Sequence, residues 1–161
     1  RDRSVSRGLG DVYKRQTQSA YCTEVSATAN ARKLFGHNLP FTQSNIVFSY
    51  DVVIKAGYDF SAITWDVHDT TITVKLPEVK VLSCEVKEDS FKKYVEDESI
   101  FTPFTLDDNN NAMKALKETA QTDAIANGLY ENARSNAETM LTTFFSSAYD
   151  MDQYTIEFQD A

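Results

Sequence analysis

Along "NIVFSYDVVIKAGYDF", residues 45–60, apolar side chains take every even position: Ile46, Phe48, Tyr50, Val52, Ile54, Ala56, Tyr58 and Phe60. Ser49, Asp51, Lys55 and Asp59 fall between them. A period of two sustained this long predicts one long strand with a buried face. Gly57 predicts a bulge or bend near its end. "ITWDV" then sets Ile63, Trp65 and Val67 on one face, "HDTT" predicts a hairpin turn, and "ITVKL" returns with Ile72, Val74 and Leu76 inward. Pro77, which has no amide hydrogen for a ladder, ends that strand.

"EVKVLSCEVK" predicts a further strand whose phase changes. Val79 and Val81 share one face and Leu82, Cys84 and Val86 the other, so the pattern predicts a bulge near Val81 or burial on both faces. "SAYCTEVSATA" alternates weakly, with Tyr21, Val25 and Ala27 on one side. "YTIEF" near the C-terminus alternates with Tyr154, Ile156 and Phe158 inward. Residues 87–106 are polar with spaced aromatics and predict no definite element. From 106 onward the period lengthens. Asp107 and Asp108 are the expected N-cap candidates. Met113, Leu116 and Ala120 make one helical stripe; Ala133, Ala137, Met140, Phe144 and Ala148 make a second, out of register with the first. Two helices meeting at Gly128, or one kinked there, account for the offset. The expected fold class is α+β: an antiparallel sheet of about five or six strands packed against a C-terminal helical tract broken or kinked near Gly128, with a final C-terminal strand.

Composition changes this picture at the N-terminus. The 161 residues carry a net charge of −8, yet residues 1–16 are basic. "DVYKRQ", Asp11 to Gln16, reads as the translation of GAT GTG TAT AAG AGA CAG, which resembles a transposon end used in sequencing-library preparation. Residues 1–16 are therefore set aside as adapter sequence, and residues 17–161 are expected to form a single α+β domain. Val12 and Tyr13 are expected to pack against nothing. Without the five basic and two acidic residues of 1–16, Lys and Arg number 11 against 22 Asp and Glu, a net charge of −11. Such a chain is poorly suited to nucleic acid or an anionic membrane surface.

Candidate chemistry is sparse. His68 falls in the predicted turn beside Asp66 and Asp69. A metal or acid–base site there would need a second set of groups, such as Glu96–Glu98, to fold over it. His37 falls in a loop. Cys22 is expected on the polar face of its strand, with Glu24 and Ser26, and Cys84 on an apolar face, so opposite faces argue against a disulfide. The carboxylates Glu85, Glu88 and Asp89, Glu96 to Glu98, and Asp107 with Asp108 match no calcium-loop spacing and read as solvated surface or helix-start charges. Phosphate-cradling, nucleophile-elbow and zinc-protease patterns are missing from the sequence. No catalytic, cofactor-binding or metal residue, and no cofactor, is assigned.

Six stretches together resemble an uncharacterised bacterial family, domain of unknown function 4230: "LPFT" (39–42), "YDVVIKAGYDFSAI" (50–63), "ITVKLPEVKVLS" (72–83), "EDSFKKY" (88–94), "IANGLYENARSNAETML" (125–141) and "YTIEF" (154–158). The strand ending Ala-Gly-x-Asp followed by "ITVKLP" is the most specific of these. The resemblance implies a membrane segment ahead of the domain, and so an extracytoplasmic, membrane-anchored protein whose anchor precedes residue 17. It implies no chemistry. The expected function is a non-enzymatic interaction or scaffold domain with an unknown protein or small ligand as partner, without nucleic acid, and touching membrane only through the anchor. Two alternatives stand beside it: a small-ligand or peptide-binding module with an apolar pocket between sheet and helices, and an enzyme of unrecognised type. A cytoplasmic location is the alternative placement.

Overall fold

A computed structural model describes residues 15–31, 33–34, 37–38, 43–97, 103 and 105–161. The elements are β1 (Arg15–Asn30), β2 (Lys33–Leu34), β3 (His37–Asn38), β4 (Ser44–Tyr58), a 3-10 turn (Phe60–Ala62), β5 (Thr64–His68), β6 (Thr71–Leu76), β7 (Lys80–Asp97), α1 (Leu106–Ala126), α2 (Leu129–Ser146) and β8 (Thr155–Asp160). The fold is α+β, as the alternating and helical periods predict. Among the described residues the strands divide into three sheets, ordered β1-β4-β7, β2-β3 and β5-β6-β8, where one sheet was expected. Val12 and Tyr13 lie outside the described residues, and β1 takes in Arg15 and Gln16 from the stretch expected to stand apart.

The chain splits into two compact units. The first holds residues 1–20, 55–83 and 127–161, and the second holds residues 21–54 and 84–126. In the first, β5 and β6 form a hairpin with Trp65 opposite Val74 and Val67 opposite Ile72. Its two-residue turn places Asp69 at φ 53°, a left-handed conformation that Asp tolerates better than most residues. β6 pairs with β8 in parallel, Ile72 opposite Ile156 and Val74 opposite Phe158. The sheets are antiparallel-rich, as expected, and β6–β8 is a parallel pair among them. The chain between β6 and β8 is long enough for a crossover, which only a parallel pair requires.

Ile72, Val74, Leu76, Tyr58, Phe60 and Ile63 are buried against Ala137, Leu141 and Phe145 of α2. The inward stripe of α2 is therefore Ala133, Ala137, Leu141 and Phe145, while Met140 and Phe144 are exposed and Ala148 follows the helix, also exposed. Strict i, i+4 spacing carries the contact line, whereas the expected stripe shifted phase after Ala137. Trp65 stacks edge-on against Phe145, ring centroids 5.3 Å apart. Val67, near the end of the edge strand β5, is exposed rather than inward.

In the second unit β4 is the central strand. Phe48, Val52 and Ile54 are buried as the alternation predicts, but Ser49 and Val53 on the opposite face are buried too. β7 runs through residues 87–97, where no element was expected. α1 starts from Thr105, not from Asp107 or Asp108. Thr105 Oγ1 accepts from Asp108 N at 3.2 Å, and Asp108 Oδ2 accepts from Thr105 N at 2.9 Å. This reciprocal pair is a capping box. Gly128, at φ 90°, separates α1 from α2, a conformation costly for any residue with a Cβ.

Candidate functional site

Strand parity builds the most distinctive surface, which lies in the second unit. Thr23 Oγ1 donates to Asp51 Oδ1 at 2.7 Å, and Tyr94 Oη lies 3.3 Å from Ser49 Oγ. Both contacts reach odd-numbered residues of β4, so Tyr21, Thr23 and Val25 share one sheet face with Tyr94. On that face Tyr21 is 75% exposed, Val25 63% and Tyr94 59%. Lys87 Nζ stands 5.7 Å from the Tyr21 ring centroid, within reach of a cation–π attraction. Tyr21, Val25 and Ala27, which the weak alternation groups on one side of the strand, are all exposed. The reason is register. β4 alternates far more strongly, its Val52 and Ile54 choose the covered face, and its pairing forces the small and polar side of β1 inward with them.

β7 changes phase along this sheet. Cys84 faces α1, its thiol directed at Lys117 O over 4.0 Å. Phe91, of opposite parity, meets Phe48 and Tyr50 at 6.0 and 5.1 Å, on the even side of β4. Between them the Asp51 amide donates to the side chain of Ser90, and Ser90 Oγ donates to Lys87 O. That is the signature of a bulge, placed some residues beyond the position near Val81 where sequence expected one.

The cysteines do not lie on opposite faces. Burial pushes the Cys22 thiol above its ordinary pKa, and the charges of Glu24, Asp123 and Cys84 add to it. Glu24 is likewise raised, first by burial and then by Asp123. Cys22, Glu24 and Cys84 therefore share the side facing α1. Both thiols are free.

The first unit holds a cluster that sequence reasoning missed. Arg134 Nε donates to Glu138 Oε1 at 2.8 Å, and Arg134 Nη1 donates to Asp160 Oδ1. The buried Tyr58 lies beside this trio. Its phenol is pushed up by burial, with Arg134 opposing and Glu138 and Asp160 assisting. Both carboxylates raise Arg134 further. The i, i+4 spacing of Arg134 and Glu138 was a readable signal, but Asp160 and Tyr58 join them only through the fold. With its guanidinium held by two carboxylates, the cluster ties α2 to β8. Asn136 Nδ2 also donates to Gln18 at 2.9 Å, joining α2 to the start of β1.

The remaining candidates are local. His68 and Asp69 are each 87% exposed and 3.2 Å apart, a pair in open solvent that contributes little. Asp66 is exposed opposite Thr73, and His37 is exposed opposite Leu34. Glu96 pairs with Lys93. Glu98 lies outside the described residues. Among the described residues no three His, Cys, Asp or Glu side chains are grouped to hold a metal ion, and no helix is long and apolar enough to cross a membrane.

Comparison with known proteins matches residues 9–156 to the family described as protein of unknown function (DUF4230). The match spans most of the chain and opens before Thr17. No curated protein and no solved structure matches. The chain belongs to that family.

Proposed function

We propose that this member of the family is a non-enzymatic interaction or scaffold domain of a membrane-anchored, extracytoplasmic bacterial protein. The observation that carries the reading is the sheet face bearing Tyr21, Val25 and Tyr94, all more than half exposed. Grouped exposed apolar side chains on a folded domain mark contact surfaces. Tyrosine serves such surfaces well, because its ring offers contact area and its hydroxyl tolerates water. The charge balance favours a protein partner over nucleic acid. The family resemblance supports the anchored, extracytoplasmic placement, since it implies a membrane segment ahead of the domain.

The test is site-specific photo-crosslinking in the natural full-length protein, in its own host. A photoreactive residue replaces Tyr21 or Tyr94, and a control replaces Lys114, an exposed residue of α1. A discrete adduct from positions 21 and 94 but not 114 is the expected result. Adducts from all three alike, or from none, overturn the reading. A reporter fused after Ala161 that is active only outside the cytoplasm checks the placement separately.

A further inference from the structure

The chain has nine asparagines, of which Asn127 alone precedes a glycine. The other eight all sit in regular elements: Asn30 in β1, Asn38 in β3, Asn45 in β4, Asn109, Asn110 and Asn111 in α1, and Asn132 and Asn136 in α2. Asn127 is exposed, in the two-residue turn that joins α1 to α2. The following Gly128 holds φ 90° and ψ 20°, and even an added Cβ there would meet nothing closer than 3.8 Å.

We propose that Asn127 is a site of spontaneous deamidation and isomerisation. Three conditions of that chemistry meet at this one position: water access, no side chain on the attacking residue, and backbone outside a helix or strand. Glycine's conformational freedom lets its amide nitrogen swing toward the neighbouring carboxamide. The Gly128 amide gives its proton to solvent and attacks Asn127 Cγ. A C–N bond forms, the Cγ–NH2 bond breaks, and ammonia leaves with a proton from solvent. The resulting succinimide takes up one water. Opening at Cγ yields an aspartate, and opening at the main-chain carbonyl yields an isoaspartate, with one extra methylene in the backbone. No oxidant or cofactor enters. Either product adds a negative charge after the last turn of α1, where the helix dipole disfavours it. The isoaspartate also lengthens the chain just before the left-handed Gly128. The domain thus carries a slow chemical timer at its interhelical turn.

The test ages the native full chain at mildly alkaline pH, maps deamidated peptides by mass, and counts isoaspartate with an isoaspartyl methyltransferase. Asn127 is expected to convert roughly tenfold faster than Asn111 or Asn136, as a barrier lower by about 1.4 kcal/mol gives. Equal rates at the three positions overturn the proposal. A rate at Asn127 more than roughly tenfold lower in native than in urea-unfolded chain also overturns it, because the turn would then be protective. Asn127→Gln, checked for an unchanged unfolding midpoint, is expected to abolish the methyltransferase signal. Its persistence shows the isoaspartate lies elsewhere and sinks the assignment.

Discussion

Cys22 and Cys84 stand on the same side of the β1-β4-β7 sheet with strand β4 between them. Two ladder spacings of about 4.8 Å put the outer backbones roughly 9.6 Å apart, beyond the roughly 7 Å limit for a disulfide without backbone movement. The thiols are thus close enough to influence each other and too far apart to bond.

Native protein exposed to a mild oxidant is expected to keep both thiols, counted by alkylation and intact mass. Because burial raises the Cys22 pKa, its thiolate fraction at neutral pH is low and its alkylation slow. Unfolding in denaturant should remove that difference. An intramolecular bridge in the native protein would refute the strand order.

Phe144 and Phe145 are adjacent in sequence and opposite in burial, 44% and 1% exposed. Phe145→Ala is expected to destabilise by about 3–5 kcal/mol, and Phe144→Ala by less than about 1 kcal/mol. Urea unfolding of the two variants decides which stripe of α2 faces the core. Comparable losses would restore the stripe through Met140 and Phe144.

Tyr58 holds its proton to higher pH in the folded chain than in the unfolded one, chiefly because it is buried. A pKa raised by folding contributes stability that is complete below the unfolded value and is lost as pH rises through the folded one. The unfolding midpoint should therefore decline above about pH 10. Tyr58→Phe should lessen that decline while leaving the neutral-pH midpoint nearly unchanged. Equal declines in both proteins would show that the phenol is not the group responsible.

Arg134 and Asp160 bring α2 and β8 together through partly exposed side chains. A double-mutant cycle with Arg134→Ala and Asp160→Asn is expected to give a coupling of about 1 kcal/mol or less. Added salt should shrink it. A larger, salt-insensitive coupling would mean that the cluster is screened from water more fully than its exposure indicates.

Residues 46–58, the hairpin from Thr64 to Leu76, the closing strand and the helix break at Gly128 were legible in the sequence. Each rests on an interaction only a few residues long: a strict period of two, a turn, a proline stop, or a glycine at positive φ. The tertiary structure decided the rest. Nothing local shows that β8 lies parallel to β6, or that Asp160 meets Arg134 beside Tyr58. For β1, local preference and global packing disagree. Its own alternation favours burying Tyr21 and Val25, but a strand's facing is shared with its neighbours through one ladder, and β4 has more apolar surface to bury. The exposed face on which the proposed function rests exists because that contest went against β1. A sequence read strand by strand cannot weigh one strand's preference against another's.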